Sequence, residues 1–223
     1  MNTISIDFQP QRSFLEQSRK VSRAHMGEMI AEMNKNALFA DKRILIQSQP
    51  VCAADKLETE SLKSCPFGGS GFTNQINAME GSELLLGMPS ENRYNRVFLV
   101  DCMGDARQSL CFHDKEELKS TGLIEWLLDE QASTLIIGGT AIDRSLKETV
   151  KQLRFFGNWD IVVNLAACRG FDAEETLAAI NEMRRIGVRT ITNSIELISK
   201  LVPAHAASPE MMKISHALKF SRI

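Results

Sequence analysis

The sequence predicts an α/β protein, a three-layer doubly wound sheet of about six mostly parallel strands with helices on both faces. Two observations lead there. Short β-rich runs alternate with longer stretches of helical period, and most of the runs are apolar on both sides. A run of that kind suits a parallel strand covered above and below by helices, because a sheet half exposed to water would alternate apolar with polar residues.

Taken in chain order, the first run covers residues 3–6 and ends at Asp7, and the second covers 43–46 and is followed by Gln47, Ser48 and Gln49. Residues 51–81 show no period and carry Pro66, Gly68, Gly69, Ser70 and Gly71, so they read as a long excursion outside the sheet, of the kind that often lines sites. The third run, 96–100, leads into Asp101 and Cys102. A crossover helix is then predicted over 116–130, where Leu118, Leu123, Trp126 and Leu127 fall at helical spacing. The fourth run, 134–137, passes through the small residues Gly138 and Gly139 into a helix beginning near Ser145. The fifth covers 161–163. A second crossover helix spans 176–186, with Leu177, Ile180 and Met183 in phase before the helix-ending Gly187, and the last run covers 189–192. No internal repeat and no low-complexity linker interrupts the chain. It is read as one domain over 1–203, with a C-terminal helical appendage over 204–223 whose Met211, Met212, Ile214, Leu218 and Phe220 would pack on the same chain or on a neighbour.

Composition limits the function. With 26 Lys and Arg against 28 Asp and Glu, scattered rather than clustered, the chain offers no basic field for a phosphate backbone, which argues against a nucleic-acid partner. The longest apolar runs fall far short of the roughly 20 residues of a membrane helix, so no membrane partner is expected and the cytoplasm is the expected compartment. Cys52, Cys65, Cys102, Cys111 and Cys168 are odd in number and lack any CxxC, and His25, His113, His205 and His216 form no HxH or HExxH. Neither a disulfide framework nor a metal site is predicted. Cys102, Cys111 and Cys168 read as buried small apolar residues, although Cys102 follows the third run and would be a relocated nucleophile if it faced a pocket.

In open α/β sheets ligands bind beyond the carboxyl ends of the strands. Asp7 and the turn Gly138-Gly139-Thr140-Ala141-Ile142-Asp143-Arg144-Ser145 stand there. A turn entering a helix directs several backbone N–H groups at one point, where they can hold a carboxylate or a developing oxyanion. Ser145 is then either a nucleophile or ligand-contacting hydroxyl, or a helix cap. Asp7 is either a general acid or base, or an acceptor for backbone N–H groups.

Several segments resemble the isochorismatase-like hydrolases, in their nicotinamidase branch, over almost the full length. Ile4-Ser5-Ile6-Asp7-Phe8-Gln9 is similar to the opening strand that ends in the family's catalytic Asp-x-Gln, and Glu83-Leu84 is similar to its Gly-x-Glu-Leu segment. Ser120-Thr121-Gly122-Leu123 with Trp126-Leu127, and then Gly139 through Thr149, resemble the stretch that leads through the nucleophile turn. Ala167-Cys168-Arg169-Gly170 with Glu174-Glu175 resembles the segment after the fifth strand. The resemblance implies hydrolysis of a small molecule by an Asp–Lys–Cys triad, with Asp7 in the aspartate position, and a cis peptide at Thr140-Ala141. Thr140, Ala141 and Ser145 would form the oxyanion- or ligand-binding turn, and a homo-oligomer is expected.

The chain departs from that pattern. Ser145 occupies the cysteine position, no lysine follows the third run, and Gln47-Ser48-Gln49-Pro50-Val51 stands where nicotinamidases carry an Asp-x-His metal motif, with Asn74 at the later histidine. No metal and no other cofactor is therefore expected. A hydroxyl is far less acidic than a thiol of pKa about 8.5, so attack by Ser145 would need a strong base. Vinyl-ether-cleaving relatives need no cysteine and use the aspartate as proton donor, though they too keep the lysine. Two functions stay open: a divergent hydrolase acting on amides or vinyl ethers through Asp7 and Ser145, and a catalytically inactive relative that binds a small-molecule ligand or a partner.

Overall fold

A computed structural model describes residues 2–17, 23–50, 83–102, 108–114 and 117–197. The six predicted strands are all present: β1 (Asn2–Phe8), β2 (Lys42–Pro50), β3 (Arg96–Cys102), β4 (Ala132–Thr140), β5 (Asp160–Arg169) and β6 (Arg189–Ile191). They form one sheet in the order β3-β2-β1-β4-β5-β6, and every pairing is parallel. The helices are α1 (Arg12–Gln17), α2 (Arg23–Asn36), α3 (Leu123–Asp129), α4 (Lys147–Phe156) and α5 (Ala173–Arg185).

Period-2 alternation along β1 divides the two layers of helices. Ile4, Ile6 and Phe8 are fully buried in a core with Leu123 and Leu127 of α3, Val150 and Leu153 of α4 and Met183 of α5. Ser5 and Asp7 point the other way, toward α2. There Met26, Met29, Ile30 and Met33, at the i, i+3, i+4, i+7 spacing of one helix face, pack with Phe14 of α1 over Ala141 and Ala167. Each such apolar side chain removed from water contributes about 1.5–3 kcal/mol, so the sheet is held between two separately stabilised layers.

The crossover helix predicted over 116–130 is shorter than the sequence suggests. It begins only at Leu123, after Gly122 at φ +80°, and Leu118 is 85% exposed. The Asp114 carboxylate accepts the Leu118 N–H at 2.9 Å, a local bond that competes with helix formation. In α5 Met183 is buried, but Leu177 is exposed. That helix starts at Ala173 because Asp172 caps it, accepting the N–H groups of Glu174 (2.8 Å) and Glu175 (3.0 Å). β5 extends six residues past the predicted run. Its register against β4 jumps from Ile137↔Val163 to Gly139↔Cys168, so residues 164–167 oppose Gly138 alone.

The excursion over 51–81, Asn74 and the appendage over 204–223 lie outside the described residues. No helix among the described residues is long and apolar enough to cross a membrane.

Candidate active site

The strand order places β2 and β3 on one side of β1, and β4 on the other. The chain therefore reverses its winding at the β1/β4 boundary, and the crevice beyond the carboxyl ends of those two strands is the ligand position that such a sheet provides. Both predicted groups flank that boundary. Asp7 pairs with Gly138, Phe8 pairs with Gly139, and the next residue of β4 is Thr140.

Asp7 is completely buried on the α2 side. Arg43 of β2 reaches its Oδ2 with Nε at 2.7 Å and Nη2 at 2.7 Å, and the Tyr94 hydroxyl donates to the same oxygen at 2.9 Å. Nη2 of Arg43 also donates to Oδ1 of Asn34 on α2 (2.9 Å), and its guanidinium lies 5.2 Å from the centre of the Tyr94 ring. Oδ1 of Asp7 is buried with no hydrogen-bond partner among the described residues. Burial pushes the Asp7 carboxyl up to about 6, against the opposing pull of Arg43 and the bond from Tyr94. The Tyr94 phenol is driven upward as well, by burial and by the adjacent carboxylate.

Ser145 lies in a second cluster. Its hydroxyl donates to the side-chain oxygen of Gln9 at 3.0 Å, and the Gln9 amide donates to the Ser48 hydroxyl. Gln11 clasps the Ser48 backbone, accepting its N–H at 2.9 Å and donating to its carbonyl at 3.0 Å. The Thr140 hydroxyl donates to the Gln9 carbonyl at 2.7 Å. Gln9 itself adopts φ +42°, which turns the chain out of β1. The peptide Thr140-Ala141 is cis, and residues 142–146 form a wide π-type turn in which the Ala141 carbonyl accepts the N–H groups of Arg144 (3.1 Å) and Leu146 (3.2 Å). Gly139 admits no other residue: at φ +140°, a Cβ would lie 2.0 Å from the Phe8 carbonyl oxygen. Asp143 holds the approach to α5, accepting from Phe171 N at 2.8 Å and Asp172 N at 2.9 Å.

Comparison with known proteins adds the family context. No family model matches, and no curated protein sequence matches. Solved structures do. An Acinetobacter baumanii nicotinamidase/pyrazinamidase superposes with a TM-score of 0.65 at 18% identity, covering 88% of this chain and 98% of that one. PnC1 from L. infantum, solved in complex with nicotinate, gives 0.62 at 20% identity over 85% and 92%. An isochorismatase-like hydrolase from Alkaliphilus metalliredigens gives 0.59 at 12% identity over 90% and 99%. The chain has the isochorismatase-like fold.

Set on that fold, the triad resemblance divides. Asp7 lies near the end of β1 and Ser145 in the turn after β4, and each is bonded to other groups rather than to the other. Sequence reasoning missed Arg43 and Tyr94. The signal for Arg43 was its spacing, for Ser5 pairs with Arg43 and the period of two then puts Arg43 and Asp7 on one face. Gln47, near the carboxyl end of β2, is buried, and among the described residues no three His, Cys, Asp or Glu side chains converge. Cys111 and Cys168 are buried free thiols pushed up to about 12 by burial, which removes both as nucleophiles. The Cys102 side chain lies outside the described residues. A cavity of about 440 Å³ opens elsewhere, between the segment around Ser109 and α4, lined by Phe112, Glu117, Gln152 and Phe155. Neither Asp7 nor Ser145 borders it.

Proposed function

We propose that the protein is a divergent isochorismatase-like hydrolase that cleaves a small molecule by acid–base chemistry at Asp7, with Ser145, Thr140 and Ala141 as ligand-contacting groups of the adjoining turn. The observation that carries this reading is the Asp7 carboxylate at the winding reversal, one oxygen saturated by donors and the other buried with none. A carboxyl that titrates near 6 holds a proton in a useful fraction of molecules near neutrality. For a vinyl ether, it delivers that proton to the terminal vinyl carbon, water adds at the neighbouring carbon that bears the ether oxygen and loses its proton to Asp7, and the resulting hemiketal collapses to a carbonyl compound and an alcohol, its hydroxyl proton passing to the departing oxygen. Covalent attack by Ser145 is disfavoured because its proton is directed at the Gln9 amide oxygen, which is not a base at neutral pH. Cleavage of a vinyl ether, which begins with protonation, thus fits better than cleavage of an amide through an acyl-enzyme.

The deciding experiment is hydrolysis of a panel of vinyl ethers and small amides by the wild type, Asp7→Asn and Ser145→Ala. Loss of turnover in Asp7→Asn, against a raised KM with kcat kept in Ser145→Ala, is expected. Equal rates in the wild type and Asp7→Asn would remove Asp7 from the chemistry.

A second reading has one observation behind it: the ion pair with Arg43 is itself a sufficient reason to keep a buried carboxylate, so the protein would bind a small ligand without turning it over. Ligand-induced thermal stabilisation without product formation would establish that reading. Under either reading the protein is taken as a cytoplasmic homo-oligomer; a light-scattering mass equal to the 24.9 kDa chain would contradict the assembly.

A further inference from the structure

We propose that Arg43 takes over the part of the triad lysine that this chain lacks, as a positioning residue that fixes the Asp7 carboxylate through Oδ2 and leaves Oδ1 as the oxygen that exchanges a proton. The inference rests on the reading of Asp7 as the acid.

Its basis is the distribution of donors. Nε and Nη2 of Arg43 and the Tyr94 hydroxyl all converge on Oδ2, while Oδ1 receives no hydrogen bond among the described residues. An oxygen that already accepts hydrogen bonds from Arg43 Nε and the Tyr94 hydroxyl, with Nη2 also 2.7 Å away, is the poorer site for a proton, so protonation falls to Oδ1. The guanidinium is held from two further sides, by Asn34 and by the Tyr94 ring beneath it, and its side chain is only 15% exposed. Two guanidinium nitrogens at 2.7 Å, one of them also held by Asn34, fix the position of Oδ2 more firmly than a single ammonium point charge does. It also carries a charge that does not titrate near neutrality.

The other elements packed around Asp7 bring no rival charge. Ser5 precedes it on the same face of β1, Gly138 lies beside it on β4 beneath Ala167 of β5 and Met33 of α2, and Asn34 is neutral. Among the described residues, Arg43 is the charged side chain that contacts Asp7, and it comes from β2, whereas the family's lysine follows the third strand. The cation is thus kept by a different strand.

The test follows the Asp7 carboxyl directly, by NMR of protein labelled with 13C at the aspartate carboxyl carbon, the signal being assigned by its loss in Asp7→Asn. Arg43→Gln keeps a polar side chain and removes the charge, and should raise the Asp7 midpoint by about one pH unit or more, equivalent to roughly tenfold in the ionisation constant. Arg43→Lys restores a charge and should hold the midpoint within about half a unit of the wild type. If Arg43→Gln does not fold, Arg43→Lys still decides: a rise of a full unit or more there overturns the charge role. An unchanged midpoint in folded Arg43→Gln also overturns it. The midpoint is independent of turnover, so failure of the acid reading would show as activity retained by Asp7→Asn while the NMR shift persisted. If both hold, the pH–rate profile of Arg43→Gln moves in the same direction as the midpoint.

Discussion

The two polar clusters at the carboxyl ends of β1 and β4 are built on opposite principles. Around Asp7 the groups are charged, enclosed and crowded onto one oxygen; around Ser145 they are hydroxyls and amides, passing hydrogen bonds from residue to residue through Gln9. The turn at Ser145 carries a cis peptide followed by a wide π-type turn, and its hydroxyl donates to an amide oxygen rather than to a base. The Asp7 region instead pairs a buried carboxylate with the guanidinium of Arg43 on the neighbouring strand.

The largest effect expected from breaking this contrast comes from the turn. Gly139→Ala would drive a methyl into the Phe8 carbonyl at a φ that other residues rarely adopt, so a loss of about 4 kcal/mol or more, or failure to fold, is expected in urea denaturation. The charged cluster is next, and its signature is pH. Because the Asp7 carboxyl rises from 3.8 to about 6 on folding, the native state holds the proton more tightly than the unfolded chain. This favours folding below about pH 4, and the advantage is lost as pH climbs through 6. Relative to Asp7→Asn, the wild type should lose on the order of 3 kcal/mol between pH 4 and pH 7, measured as the difference between urea midpoints. A flat difference would mean that Arg43 and Tyr94 fully offset the burial. The neutral cluster should respond least. Thr140→Val, which removes the hydroxyl on the Gln9 carbonyl, and Ser145→Ala, which removes the one on the Gln9 side chain, should each cost about 1 kcal/mol with little dependence on pH.

Much of the scaffold was legible because it is written in short-range pattern. Short β-rich runs alternating with helical stretches marked all six strands, the two-sided apolar character of most of them pointed to a parallel sheet, and small residues marked the Gly139–Ser145 turn. The helical period was deceptive at Leu118, where an aspartate side chain competes for the backbone, and it went unread in α2, whose core face is carried by methionines interrupted by Gly27. The fifth run was cut at Val163 because residues 164–167 break register with β4 and begin with the polar Asn164, although Asn164 still pairs with Ile191 of β6. In the site, Asp7 and Ser145 were legible because each ends or begins an element. Arg43 and Tyr94 were not: they lie 36 and 87 residues from Asp7, and only the pairing of β1 with β2 and the approach to β3 bring them to it.

The swelling in β5 has a consequence for the side chains that follow it. Four residues stand opposite Gly138, so the facing of everything downstream depends on that count being kept. Shortening the swelling by one would exchange alternate positions, putting the guanidinium of Arg169 where the enclosed thiol of Cys168 now sits, and withdrawing Arg169 from the carbonyls of Ala166 and His25 that tie the strand tip to α2. A small irregularity in one strand thus acts as the phase setting for the whole upper rim of the sheet.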